Sequence, residues 1–319
     1  MGEFKLIDRL FKHAGGSMKP FTRLGIGDDA SIHRPETGMD LVVSTDSSVS
    51  GIHWPLDFPL DRAADRAVCS ALSDLAAMGA EPVCAWLNVM AEGGDAVEQL
   101  GQGATAALRR YDVELAGGDT CRSSVNALSV TVAGQLAAAT AMRRDAASAD
   151  DVLWLCGRVG FHALGLQQWF DGQRDGDFIA HVESISPLLD AGMQLRQAGV
   201  LCCIDISDGL LQDAGHICTA SEISMDIEVS RLPDWEHLCE QVGEAAALQS
   251  VAQGGEDYAL LFTAPADLLG DSLHNAGSPN DLFVRIGQCR MMTAERQGAQ
   301  LYLHGKHIDM EKHGFDHFG

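Results

Sequence analysis

Acidic residues in this chain recur in short segments, most of them containing glycine: Gly27-Asp28-Asp29, Ser44-Thr45-Asp46, Ser73-Asp74, Gly117-Gly118-Asp119-Thr120, Asp205-Ile206-Ser207-Asp208-Gly209 and Gly254-Gly255-Glu256-Asp257. Hard divalent cations take oxygen ligands, and glycine lets the backbone come close enough to phosphate to present its N–H groups. A single Gly-Asp pair is ordinarily a turn. Recurrence of the pair at so many predicted element ends points instead to a magnesium and polyphosphate centre. The lysines agree, because Lys5, Lys12 and Lys19 are followed by none until Lys306. Whatever phosphate the protein handles is not neutralised by a central lysine.

The elements that must hold these residues follow from the hydrophobic pattern. Glu3 to His13 has Phe4, Leu6, Ile7, Leu10 and Phe11 at helical spacing, which predicts a short amphipathic opening helix. Met39 to Ser44 reads as a strand that delivers Asp46 at its C-terminal end, where ligands gather in α/β proteins. Asp61 to Met78 is alanine-rich, with Asp61 as a cap and Gly79 as a terminator, so it predicts a helix with Asp74 in its last turn. An anion there opposes the helix dipole and is easier to understand with a cation nearby. A strand over Val83–Met90, a helix over Ala96–Tyr111, a strand over Val113–Ala116 entering Gly117-Gly118-Asp119, and a strand over Ala127–Leu136 complete the first half.

The second half has the same grammar. Val152–Cys156, Leu201–Ile204 and Tyr258–Thr263 read as strands, and Leu210–Ser221 as a helix after Asp205-Ile206-Ser207-Asp208-Gly209. The alternation predicts an α/β or α+β architecture. The alanine-rich, charged stretch from Ala137 to Asp151 separates the halves, giving domains over 1–140 and 141–319.

Bulk composition narrows the classes. At 319 residues and 46% hydrophobic, the chain can bury the cores of two ordinary domains. A formal charge of −23 argues against a nucleic-acid or anionic-membrane surface, which needs clustered Lys and Arg. Nine scattered cysteines without a Cys-x-x-Cys pair indicate neither a disulfide framework nor a zinc knuckle, so a reducing cytoplasm is the expected home. The N-terminal residues lack the apolar core of a signal peptide, and no stretch reaches the apolar length of a membrane span.

Several enzyme classes are excluded by motif. There is no G-x-x-x-x-G-K-[ST], no HRD and DFG pair, no H-E-x-x-H and no G-x-S-x-G. Gly25-Ile26-Gly27 continues into Asp28-Asp29 and precedes no predicted helix, unlike a dinucleotide fingerprint. Among twelve dispersed histidines, His53 stands out because it follows Asp46 closely and adjoins Trp54, giving a polar and aromatic corner.

The set GIGDDAS (25–31), STD (44–46) with His53 seven residues on, SDLAAMGA (73–80), GGDT (117–120), IDISDGL (204–210), GGEDYALLF (254–262) and GFDHF (314–318) closely resembles the thiamine-monophosphate kinase family. That family belongs to the two-domain aminoimidazole ribonucleotide synthetase (PurM-like) superfamily. The motifs run in consistent order from about Glu3 to Phe318. The resemblance implies ATP-dependent phosphorylation of thiamine monophosphate to thiamine diphosphate by direct transfer, with no covalent phosphoenzyme. It also implies a homodimer whose N-terminal domains build a shared barrel, and a C-terminal α/β domain that completes the ATP and substrate site.

Carried over residue by residue, Asp29, Ser44, Thr45, Asp46, Asp74, Asp119, Asp205 and Asp208 would coordinate several magnesium ions. Asp46, Asp119 and Asp208 would be central to catalysis. Gly118, Asp119, Arg144 and Ser207 would contact ATP, with Arg143 as the alternative to Arg144. His53, Glu256 and Phe315 would line the thiamine monophosphate pocket, where Trp54 and Phe315 would preserve an aromatic wall. A selenophosphate synthetase would need a reactive cysteine near the N-terminus, whereas the earliest here is Cys69. A hydrogenase-maturation relative would end in cysteine, whereas this chain ends Asp316-His317-Phe318-Gly319. More remote alternatives are an aminoimidazole ribonucleotide synthetase and a non-catalytic magnesium-nucleotide binder.

Overall fold

The structure, a computed structural model, describes residues 9–11, 15–269 and 283–310. The chain divides into two compact units. The first comprises Met1–Leu75, Ala80–Ala139 and Glu183–Ile185; the second comprises Ala76–Gly79, Thr140–Val182 and Ser186–Gly319. Most of the predicted opening helix lies outside the described residues.

The first unit contains a short antiparallel ladder of β1 (Thr22–Leu24) and β2 (Ile32–His33), and a four-stranded sheet. That sheet has the order β3 (Met39–Val49), β6 (Ala127–Ala137), β4 (Glu81–Ala91), β5 (Glu114–Arg122). Only the β4–β5 pair is parallel. Helices α1 (Leu60–Met78) and α2 (Gly94–Arg110) supply the apolar partner. In α1, Ala64, Val68, Ala71, Leu72 and Leu75 are fully buried, and in the sheet Val89, Leu128, Val130 and Val132 are too. The glycine at the end of α1 does what its sequence position demands: Gly79 takes φ +71, and its N–H donates to the Ala76 carbonyl at 3.0 Å. Asp61 sits within the first turn of α1 instead of capping it, which still suits the positive end of the helix dipole.

Two expectations about strand ends are corrected. β3 does not stop before Asp46 but continues to Val49, paired with β6 in unbroken register from Met39↔Ala137 to Val49↔Ala127. The polar run Ser44–Ser48 resembles a turn by composition, yet it alternates along a strand. Thr45 Oγ1 meets Thr131 Oγ1 at 2.9 Å, and Ser47 Oγ donates to Ser129 Oγ at 3.1 Å, so cross-strand hydroxyl pairs extend the ladder. Likewise Gly117-Gly118-Asp119 lies inside β5, not beyond it. A bulge precedes it, and Gly118 at φ +148 lies so close to Leu87 that a Cβ would sit 1.9 Å from the Leu87 carbonyl oxygen.

The second unit holds a seven-stranded sheet of order β13 (Lys306–Ile308), β12 (Gly298–Leu303), β9 (Ile223–Glu228), β11 (Phe283–Met291), β7 (Val152–Cys156), β10 (Leu260–Ala264), β8 (Cys202–Asp205). Its helices are α3 (Phe161–Phe170), α4 (Asp177–Glu183), α5 (Leu189–Gln197), α6 (Leu210–Ser221), α7 (Trp235–Val242) and α8 (Glu244–Gln253). Leu153, Leu155, Phe161, Ile204, Leu210, Ile217, Val251, Leu261 and Ile286 form its core. For the sites below, the decisive pairing is β8 with β10, which sets Asp205 opposite Leu260 and so brings the segments after β8 and before β10 side by side.

Close packing of α2 on α1 gives a test. A Cβ on Gly103 would lie 1.9 Å from the backbone oxygen of Asp61. Gly103→Ala gains about 1 kcal/mol of helix propensity but collides with backbone that cannot rotate away, a cost of roughly 1–3 kcal/mol. The clash should win, lowering the urea midpoint; a raised midpoint would mean that the helices separate freely.

Candidate active site

Carboxylates in the first unit gather in two places. The first is the β3 edge. Period-two alternation puts Val42, Ser44, Asp46 and Ser48 on one face of the strand, each half-buried, and Leu41, Val43, Thr45 and Ser47 on the exposed other face. Ser44 Oγ donates a short hydrogen bond to Asp74 on α1, so the helix meets the strand through a hydroxyl and a carboxylate. Asp46, two residues on, shares that face. The Thr45 side chain does not join them, because it points to the opposite face, onto Thr131.

The second place is the β5 edge. A cavity of about 340 Å³ lies between residues 25–31 and 115–120, and both Asp29 and Asp119 line it. Each carboxylate is exposed, and neither has a cationic side-chain partner among the described residues. Asp119 Oδ1 accepts the Thr120 N–H at 2.8 Å, and the Asp29 N–H donates to Asp28 Oδ1 at 2.9 Å. Gly118, on the same wall, presents main chain without a side chain.

Sheet register relates the two places. One rung runs Asp46–Val130–Leu87–Gly118, and the next runs Ser47–Ser129–Asn88–Asp119. Asp46 and Asp119 therefore stand on neighbouring rungs at opposite edges, three strand spacings or about 14 Å apart. They belong to two separate oxygen-rich sites within this unit.

Trp86 and Ser31 also line the cavity. Trp86 Nε1–H donates to Ser31 Oγ at 2.9 Å, and Ser31 Oγ lies 2.8 Å from His33 Nε2. His33 Nδ1 lies 3.2 Å from Thr22 Oγ1. The imidazole also stacks on Phe21 at 5.0 Å and meets Trp86 edge-on at 5.1 Å. Burial lowers the pKa of His33, opposed by the nearby Glu114 carboxylate.

In the second unit a third acidic cluster forms where β8 ends. Asp205 is the last residue of that strand and is buried. The loop after it bends around a single oxygen: Asp213 Oδ2 accepts the N–H groups of Ser207, Asp208 and Gly209, each at 3.1 Å. Burial pushes the Asp213 carboxyl up to about 7, against those three donors, which favour the carboxylate. Ligand atoms of Asp208, Asp213 and His216 lie within 4.8 Å of one another, and Gln212 Nε2 donates to Asp208 Oδ2 at 3.0 Å.

The neighbouring segment is zipped on by backbone. The N–H of Glu256 donates to the Ser207 carbonyl and that of Tyr258 to the Ile206 carbonyl, both at 2.8 Å. Glu256 and Tyr258 take φ +64 and +53, left-handed conformations unusual for residues with a Cβ. Between them, Asp257 caps α3 from outside the helix, accepting the N–H groups of Gly160 at 2.6 Å and His162 at 3.0 Å.

Comparison with known proteins adds to this geometry. Residues 27–136 match the family described as AIR synthase related protein, N-terminal domain. The chain is 34% identical to thiamine-monophosphate kinase of Escherichia coli (strain K12), over 99% of this chain and 98% of that protein. The chain belongs to the thiamine-monophosphate kinase family. The solved structure of thiamine-monophosphate kinase from Stenotrophomonas maltophilia K279a superposes with a TM-score of 0.81 at 33% identity, covering 97% of this chain and 98% of that one. A solved complex described as AaThiL with AMPPCP and TMP superposes with a TM-score of 0.75 at 25% identity, covering 99% and 97%. The two-unit α/β chain thus has the PurM-like fold.

Within that family the remaining expected residues fall as follows. His53 closes a turn after β3, its Nδ1 accepting the Val49 N–H at 3.1 Å. Trp54 departs from expectation: it is buried inside the first unit, so it packs there and forms no open aromatic wall. Arg143 is engaged on both sides of its guanidinium by Asp145, while the Arg144 side chain is exposed and its carbonyl accepts the Ser221 Oγ–H at 2.9 Å. Phe315 lies outside the described residues. Asp213 lies outside the motifs, and Asp257, though within the Gly254–Asp257 segment, carries no assigned role there. Their signals were positional: Asp213 follows the Gly209 start of α6 by one helical turn, and Asp257 ends the Gly254-Gly255 segment where any N–H donors must come from elsewhere in the chain.

His33 yields a pH prediction. Its folded pKa lies below the unfolded value of about 6.5, so between the two the unfolded chain binds more protons and stability rises with pH. The contribution is complete above the unfolded value and is lost as pH falls through the folded one. Urea midpoints from pH 7.5 to 5 should fall more steeply in the wild type than in His33→Gln; parallel curves would show that His33 does not titrate differently on folding.

Proposed function

We propose that the protein transfers the γ-phosphoryl group of ATP directly to the phosphate of thiamine monophosphate, giving thiamine diphosphate and ADP. The observation that carries this reading is the 34% identity to the Escherichia coli kinase over 99% of this chain, together with the acidic segments this sequence carries. The complex holding AMPPCP and TMP supports it, since that related protein binds an ATP analogue and TMP together.

The residues present fit magnesium. Asp29, Ser44, Asp46, Asp74, Asp119, Asp205 and Asp208 offer oxygen donors only, the set a hard cation prefers, and Asp29 and Asp119 lack any cationic partner among the described residues. When bound, magnesium ions would neutralise the triphosphate and the charge that develops on transfer. The chain's own part is to hold the phosphates in line and to keep the acceptor oxygen close. Gly118 would let main chain approach a phosphate, Asp29 and Asp119 would hold a cation on the β5 side, and Asp46 with Ser44 and Asp74 would hold another on the β3 side. Asp205, Ser207 and Asp208 would supply the second unit's share, and Arg144 would reach ATP with an exposed guanidinium that has no carboxylate partner among the described residues. Thr45 would contribute through its main chain, given where its side chain lies. Asp46, Asp119 and Asp208 are the carboxylates on which transfer depends most.

His53, Glu256 and Phe315 are assigned to the thiamine monophosphate pocket, where an anionic Glu256 suits the thiazolium cation and aromatic rings suit its faces. The first unit, within residues 1–140, would carry ATP, magnesium and dimer contacts, and residues 141–319 would complete the site. A homodimer is supported by the outer face of β3, where Leu41 and Val43 are 47% and 54% exposed on a sheet with two open edges. Cytoplasmic residence is supported by nine free thiols, and no helix among the described residues is long and apolar enough to cross a membrane.

Incubation with ATP, magnesium and thiamine monophosphate, followed by chromatography, should give thiamine diphosphate only when all three are present. Asp46→Asn should lose at least a hundredfold in kcat, about 2.7 kcal/mol at the transition state, while keeping its unfolding midpoint; wild-type turnover would remove Asp46 from the metal site. Leu41→Lys with Val43→Lys should sediment as a folded monomer if that face is the interface. Persistence of a wild-type dimer in the double variant would place the interface elsewhere.

A further inference from the structure

Behind Glu256 stands a residue that the motif set does not include. His162, in the first turn of α3, is 6% exposed, and its Nε2 lies 3.2 Å from Glu256 Oε2. The Glu256 side chain keeps 24% of its surface open. A buried imidazole behind a partly open carboxylate is an arrangement that fixes a carboxylate in place. Resting on the assignment of Glu256 to the substrate pocket, we propose that His162 is a positioning residue, which holds the Glu256 carboxylate through Nε2–H so that it meets the cationic thiazolium ring of the substrate.

Several contacts make the two residues move as one body. Asp257 accepts the His162 N–H at 3.0 Å and the Gly160 N–H at 2.6 Å, tying the start of α3 to the residue after Glu256. Gly254 packs so tightly that a Cβ would lie 2.8 Å from the Ala163 Cβ and 2.2 Å from the Ser250 carbonyl oxygen. Glu256 is itself pinned, left-handed, by its N–H on the Ser207 carbonyl at 2.8 Å. With the main chain set at both ends, the glutamate's freedom lies in its side chain. An unrestrained glutamate loses rotamer entropy when it meets a ligand. A hydrogen bond from His162 would remove that freedom before the substrate arrives, which is preorganisation.

A neutral imidazole donating from Nε2 also leaves the pair its net negative charge. The carboxylate keeps its second oxygen for the cation, whereas a lysine or arginine in place of His162 would cancel the charge that the substrate needs. The consequence is confined to one substrate, because ATP, as an anion, gains nothing from Glu256.

The test uses the full-length enzyme and four variants: His162→Phe, which keeps bulk and removes the donor; His162→Gln, whose amide can donate from near the Nε2 position; Glu256→Gln; and the double variant His162→Phe/Glu256→Gln. Michaelis constants for thiamine monophosphate and for ATP are measured with kcat, and calorimetry follows thiamine monophosphate binding without turnover. Loss of one hydrogen bond predicts a KM for thiamine monophosphate raised on the order of threefold to tenfold in His162→Phe, with the KM for ATP and kcat held within about twofold. His162→Gln should stay near wild type, and in the Glu256→Gln background the His162→Phe penalty should vanish. A His162→Phe effect spread equally over both substrates, or one that persists without the Glu256 carboxylate, would overturn the positioning role while leaving the pocket assignment in place. If Glu256→Gln alone left thiamine monophosphate binding unchanged, the pocket assignment itself would fall, and this inference with it.

Discussion

Carboxylates brought close together repel, and a chain of net charge −23 that gathers them in clusters must offset that repulsion. The structure offsets it first with backbone. Three consecutive N–H groups converge on Asp213, two more converge on Asp257, and Asp119 takes the N–H of its neighbour. Donors of this kind are neutral and fixed, so they hold acidic segments in shape without cancelling the charge that a cation needs. Side-chain cations are spent elsewhere: Arg110 on Asp65, Arg143 on Asp145, and Arg158 on Asp177 and Asp234. Asp29 and Asp119 have no such cationic side-chain partner among the described residues.

Rigid ladders decide where these segments lie. The β8–β10 register places the segments 205–209 and 254–258 together, and the main-chain bonds between Ser207 and Glu256 and between Ile206 and Tyr258 make them one structure. In the first unit the rungs from Asp46 to Gly118 and from Ser47 to Asp119 place the two edge sites across an apolar sheet. A carboxylate anchored in a strand has less freedom than one on a loop, which favours fixed geometry at a charge-transfer site. Left-handed Glu256 and Tyr258 show strain of the sort that accumulates at such sites, here held by flanking hydrogen bonds.

Much of this was legible in the sequence, and the failures share a cause. Helix α6 and strand β7 fall where periodicity put them, because a run of apolar residues bounded by glycine or charge is a local signal. The ends of β3 and β5 did not, because serine, threonine and glycine read as turn formers unless the partner strand is known. Thr131 and Ser129 on β6 turn the polar half of β3 into a ladder, and the Leu87 carbonyl makes room for Gly118 only within β5. Trp54 was misjudged for a similar reason, since a tryptophan beside a histidine gives no sign of which way it is buried. The chemistry of single residues was readable; facing, register and distant capping partners were not.

The distance across the first unit's sheet bears on how many cations the site needs. On the proposed magnesium assignment, one ion would not bridge Asp46 and Asp119, since magnesium–oxygen bonds are about 2.1 Å and the main chain at these two residues stands three strand spacings, roughly 14 Å, apart. Separate ions, each with its own oxygen set, would then account for the recurrence of acidic segments better than a single crowded centre. On this view the two carboxylate groups of the first unit are not duplicates. The β5 group shares its cavity with an aromatic wall and a glycine main chain suited to a nucleotide, and the β3 group, tied to α1 through Ser44 and Asp74, leads directly to the turn that holds His53.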